Sequence, residues 1–106
     1  MTQSDFNLLF IQQVNRCEET LRGKAKEYTG NNPDRLSAFK TAAALQECTP
    51  ERALAGMMAK HIISIYDMCF SEQESYDQSI WNEKITDTLN YLFLLNALVR
   101  EEGAHE

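Results

Sequence analysis

Apolar residues recur at intervals of three and four along most of this 106-residue chain, and that spacing writes one face of a helix again and again. The first such stretch covers residues 5–28, with Phe10, Val14, Cys17, Leu21 and Ala25 on a single stripe. Ser4 is placed to cap its start, Asp5 suits the positive first turn, and Gly30 suits its end. The Gly-Asn-Asn-Pro-Asp run that follows is a loop. A short helix is expected over residues 34–46, with Leu36, Phe39, Ala43 and Leu45 inward and an alanine run, Ala42 to Ala44, that allows close packing. Thr49-Pro50-Glu51 reads as cap, first-turn proline and favourable acid, so a third helix runs over residues 50–70. Its inner side carries Leu54, Met57, Met58, Ile62, Ile65 and Met68, and Gly56 marks an expected close helix crossing. After a polar loop at residues 71–76, a fourth helix spans residues 78–101, with Trp81 near its start and Ile85, Leu89, Leu92 and Val99 on one stripe. Phe93, Leu94 and Leu98 widen that stripe, and a helix apolar on several sides is buried on several sides.

These elements predict an all-α fold: a small antiparallel helical bundle of three long helices and one short helix. The length fits one domain over residues 1–106, with residues 1–4 and 102–106 expected to fray. A chain this small buries only about two-thirds of its unfolded surface, so the breadth of the fourth helix points to a homo-oligomer. A net charge of −6 argues against broad nucleic-acid binding, which needs clustered cations. It leaves room for a small phosphorylated ligand, which a few local cations can hold. Cys17, Cys48 and Cys69 are odd in number and far apart, so they read as buried thiols rather than a disulfide framework. The N-terminal residues lack the features of a signal peptide, and no apolar run nears the ~20 residues that span a bilayer. The expected setting is cytoplasmic, with no membrane contact.

Several polar residues interrupt this pattern. Glu83, Asp87 and Asn90 stack at i, i+4 and i+7 along the fourth helix. Two carboxylates so placed repel unless a cation lies between them. They form either a Mg²⁺ site or a solvated stripe countered by Lys84 and Arg100. The third helix carries a similar line of Lys60, Ser64 and Asp67, with His61 one step round. Lys24, Lys26, Glu27 and Tyr28 close the first helix as a surface cluster, and Asp34 with Arg35 reads as a helix cap beside a solvent-facing cation.

The segments KEYTGNNPDRLSAFK (residues 26–40), ALAGMMAKHIISIYDM (53–68) and WNEKITDTLNYLFLL (81–95) resemble small phage and prophage proteins of the nucleotide-modification-associated type. These are distantly similar to MazG-type all-α NTP pyrophosphatases. The resemblance implies Mg²⁺-dependent cleavage of NTP to NMP and pyrophosphate, with metal held by helical ExxE and ExxD pairs. Asp87 matches the Asp of ExxD; Lys84 stands where its Glu belongs, and Glu83 is one step off. Asp67 is the lone acid in the second half of the third helix, and Glu18 and Glu19 have no acid three residues on. On this resemblance Glu83, Asp87, Asp67 and Glu27 would hold Mg²⁺, Lys60, His61 and Arg35 would contact phosphate, and Asn90 would read a sugar or base. The alternative is a non-catalytic phage helper that binds a host protein or sequesters a nucleotide signal.

Overall fold

The computed structural model describes residues 1–72 and 75–103, and four helices account for most of them. They are α1 (Gln3–Thr29), α2 (Ser37–Gln46), α3 (Pro50–Phe70) and α4 (Gln78–Gly103). There is no strand among the described residues. α1 begins earlier than expected because Thr2, not Ser4, is its cap. The Thr2 hydroxyl accepts from the Asp5 N–H at 3.1 Å, and the Asp5 carboxylate accepts from the Thr2 N–H in return. Residues 1–4 are therefore largely cap and first turn. At the other end, Gly30 closes the helix at φ 57°, a conformation that costs a side chain most and glycine least.

α2 starts three residues later than its sequence suggests. Asp34 spends its carboxylate on a turn, accepting from the Leu36 N–H at 3.0 Å, and on Lys40 at 2.5 Å. The Lys40 contact, reinforced by the turn, holds the Asp34 carboxyl below its ordinary range. Lys40 also reaches Glu101, which ties α2 to the end of α4. α3 has the expected bounds, with the Thr49 hydroxyl accepting from the Arg52 N–H and proline in the first turn. α4 extends to Gly103; the expected fraying of residues 104–106, and part of the 71–76 loop, lie outside the described residues.

The core is compact and lies where α2, α3 and α4 meet. Leu36, Phe39, Leu54, Tyr91, Leu94 and Leu98 are buried together, with Leu21 of α1 and Met57 and Met58 of α3 packed against them. At i, i+3 and i+7, Leu36, Phe39 and Ala43 lay one side of α2 onto this cluster. Where Glu51 of α3 meets Glu102 of α4, the hydrogen bond between the two carboxyl groups raises the Glu102 pKa, with burial adding to it.

Several expected core residues are out in solvent. Leu45 is 82% exposed, because α2 ends a residue later and its chain turns away through a left-handed Glu47. Ile62 is exposed on α3. On α4 the inward stripe is Tyr91, Leu94 and Leu98; Leu92 and Val99 of the expected stripe are about half exposed on the opposite side. On α1, Cys17 is buried while Phe10 and Val14 are exposed, so the long stripe enters the core only at its second half. Of the three free thiols, Cys17 alone is buried; Cys48 is half-buried and Cys69 exposed. No described helix is long and apolar enough to cross a membrane.

Gly56 does not mark a close crossing. A methyl group added there meets nothing within 4 Å, and the residue is exposed in mid-helix. Its cost is then only the helix propensity of glycine, and Gly56→Ala should raise stability by about 1 kcal/mol. Urea unfolding of the two proteins measures this; a loss of stability would restore the close crossing.

Candidate functional site

A pocket of about 200 Å³ opens between α1, α3, α4 and the loop before α2. Its walls follow from helical spacing. Thr20, Lys24 and Tyr28 stand at steps of four along α1. From α4 come Asp87, Asn90, Tyr91 and Leu94, again one face at i, i+3, i+4 and i+7. α3 contributes the neighbours Lys60 and His61, and Arg35 leans in from the loop. Leu21, Tyr91 and Leu94 belong equally to the hydrophobic core, so the floor of the pocket is the core itself.

The charge balance of this pocket opposes that of the chain. Lys24, Arg35 and Lys60 face one carboxylate, Asp87, in a protein of net charge −6. Asp87 lies 3.5 Å from the Lys24 ammonium and 4.0 Å from His61 Nδ1. Burial pushes the His61 imidazole below its usual pKa, and Lys60, Lys84 and Lys24 push the same way against the pull of Asp87. His61 is therefore neutral at pH 7. Its ring packs 5.2 Å from that of Tyr91, centroid to centroid. Burial, with the Tyr28 hydroxyl beside it, pushes the Tyr91 phenol up to about 12, so Tyr91 stays a neutral donor.

Two side chains on these walls are left without partners. Asn90 is 6% exposed, and among the described residues neither its amide nitrogen nor its carbonyl oxygen has a hydrogen-bond partner. Arg35 gives one guanidinium nitrogen to the Leu21 carbonyl at 3.4 Å and sits 5.9 Å over the Tyr28 ring, but its Nη1 is buried and unpaired. Each such orphan costs about 1–3 kcal/mol, a cost that a ligand with matching polar groups would remove. Thr86, one step from Asp87, shows the contrast: it is buried too, but its hydroxyl accepts from the Gln13 amide at 2.9 Å.

Of the residues singled out in the sequence, Asp87, Asn90, Lys60, His61 and Arg35 come together at this pocket. The other three metal candidates do not join them. Glu83 is exposed and lines a shallower groove between α1 and α4, sharing Asp87 and Lys24 with the pocket. Glu27 and Asp67 are exposed and line neither. No group of three or more His, Cys, Asp or Glu side chains among the described residues could hold a metal ion. Lys24 is the counter-charge of Asp87 and lines the same groove as Glu83.

Lys24, Tyr28 and Tyr91 line the pocket as well, although none of them stands among the site candidates read from the sequence. Lys24 and Tyr28 read as part of a surface cluster, and Tyr91 is not among the residues singled out. The available signal was that Thr20, Lys24 and Tyr28 keep step with the Cys17–Leu21 side of α1, and so cannot face away from the bundle. Arg35 is likewise not solvent-facing but folded back onto α1. No protein-family model, curated protein or solved structure matches this chain.

The orphaned amide gives a test of opposite signs. Asn90→Leu, close in size, should raise stability by about 1 kcal/mol by removing unpaired polar atoms. Asp87→Asn should lower it by about 1 kcal/mol, because Lys24 loses its counter-charge in a half-buried setting. Denaturant midpoints of both variants check the pair; a less stable Asn90→Leu would mean that the amide is satisfied in the free protein.

Proposed function

We propose that this chain binds a small phosphorylated ligand of the nucleotide class in the pocket between α1, α3 and α4. The observation that carries the reading is the convergence of three cations, from α1, α3 and the loop before α2, on a pocket that also holds the buried, unpartnered Asn90 amide of α4, in an acidic protein. Lys24, Lys60 and Arg35 would take the phosphate oxygens, Arg35 through the fork geometry that suits such groups. The Asn90 amide offers one donor and one acceptor side by side, which fits a sugar hydroxyl or a base edge. Tyr28, Tyr91 and Leu94 would cover an apolar or aromatic face. At about 200 Å³ the pocket is smaller than one that encloses a whole nucleotide, and would take the phosphate end with part of the sugar or base.

Binding is favoured over hydrolysis because the pocket supplies one carboxylate where the two-pair metal motif needs four. Mg²⁺ enters this reading only as an ion bridging Asp87 and the phosphates of a bound ligand, since it accepts one or two carboxylates plus phosphate oxygens. α3 and α4 are read as antiparallel neighbours, which the Glu51–Glu102 and His61–Tyr91 contacts support. The free thiols, Cys69 exposed among them, suit a reducing compartment such as the cytoplasm.

A thermal-shift series with phosphate, AMP, GMP and ATP, with and without Mg²⁺, tests the proposal. A nucleotide should raise the melting temperature by mass action without requiring the metal. Lys60→Ala, at an exposed lysine on the rim, should weaken binding about tenfold at little cost to stability. Indifference to every nucleotide and to phosphate at millimolar concentration would remove the proposal, and a shift that appears only with Mg²⁺ would return weight to the hydrolase chemistry.

The His61 imidazole sets the pH dependence. Its folded pKa lies below 6.5, so between the two values the unfolded chain holds more protons. The His61 contribution to stability is thus complete above the unfolded value and declines as pH falls below it. A bound anion raises the folded pKa and favours protonation. Binding of sulfate, whose own charge is constant in this range, should therefore tighten as pH drops from 7.5 to about 5.5. Calorimetry with wild type and His61→Gln checks this: the slope should vanish in the variant, and an equal slope in both would remove His61 from the site.

A further inference from the structure

Every residue from Met1 to Gln12 is exposed, and this stretch of α1 is the most apolar on the surface. Phe6, Leu8, Leu9, Phe10, Ile11 and Val14 are each between 43% and 60% exposed. They do not form a single stripe. Phe6, Phe10 and Val14 continue the line that enters the core at Cys17, while Leu8 and Ile11 lie to its side. Together they leave on the order of 500 Å² of apolar side-chain surface open to water. That is at the upper end of the largest patch found on a typical monomer. It is also most of the roughly 800 Å² that one partner gives to a stable interface.

We propose that two copies of this chain pair through the Phe6–Val14 segment of α1. Charge selects this occupant. Two chains of −6 repel wherever their acids meet, so a homotypic contact must be built from uncharged surface. Residues 6–15 hold no ionisable side chain at all. A lipid surface is a poorer match: helices that lie in membrane interfaces carry Lys and Arg along their polar side, and here the polar positions are Asn7, Gln12, Gln13 and Asn15, with no cation before Arg16. Because the segment is apolar on more than one side, one flat neighbour cannot cover it. The equivalent helix of a second copy supplies a surface of the same character. A two-fold arrangement closes on itself and buries the segment twice.

Sedimentation equilibrium at tens of micromolar should return twice the chain mass for the wild type. Phe10→Asp, a change at a residue 60% exposed in the single chain, should return the chain mass with helical circular dichroism intact. The pair Leu9→Gln and Ile11→Gln, which adds no charge, should weaken association at least tenfold. None of these residues lines the ligand pocket, so phosphate binding in the dissociated variant should match that of the wild type and keeps this proposal separate from the one above. A wild type that stays at chain mass overturns the pairing, including one that binds anionic vesicles instead. A dimer that survives both α1 variants overturns the assignment of its surface.

Discussion

Burying a polar group without a partner costs about 1–3 kcal/mol, and α4 turns three polar residues inward within two helical turns. How each is satisfied decides the shape of the rest. Thr86 is met by Gln13, which fixes where α1 crosses α4. Asp87 is met by Lys24 from α1 and approached by His61 from α3, which brings both helices to the same level. Asn90 is met by nothing among the described residues, and the space in front of it is the pocket. An apolar stripe at the same positions would pack these helices more tightly and leave no cavity between them.

The core and the pocket are parts of one construction. Phe39, Leu54 and Leu98 are the largest side chains fully shut off from water, and they join α2, α3 and α4 on one side of Tyr91 and Leu94. On the other side those same two residues floor the pocket. The rigid side therefore positions the open side, and side chains held by core packing need little rearrangement to meet a ligand. The cations are held apart by the same means: Lys24 is drawn to Asp87, and Arg35 is laid over Tyr28 by its bond to the Leu21 carbonyl. Lys60 stays exposed at the rim.

Much of this was legible in the residues. The four helices follow from apolar spacing, and the Thr49-Pro50 start and Gly30 end follow from backbone chemistry that tertiary contacts do not alter. Which face of a long helix turns inward is a different matter. Ile85, Leu89, Leu92 and Val99 make as good a stripe on α4 as Tyr91, Leu94 and Leu98, and periodicity cannot choose between two apolar faces of one helix. The choice is made by Thr86 and Asp87, whose partners Gln13, Lys24 and His61 come from more than twenty residues away. The same non-local pairing hid Lys24, whose nearest acids in sequence suggested a surface cluster. Asn90, Lys60 and His61 were legible as candidates because they break a pattern. That Glu27 and Asp67 stand apart from them depends on the rotation of α1 and α3, which no local rule sets.

The most direct test is a nuclear magnetic resonance titration that watches the Asn90 side-chain amide and the Arg35 guanidinium as AMP and then inorganic phosphate are added. The account predicts saturable shifts at both groups with AMP, and at Arg35 but not Asn90 with phosphate alone, because the phosphate lacks the part that the amide meets. Unmoved signals at both groups with AMP at millimolar concentration, or shifts confined to residues outside the pocket, would contradict it.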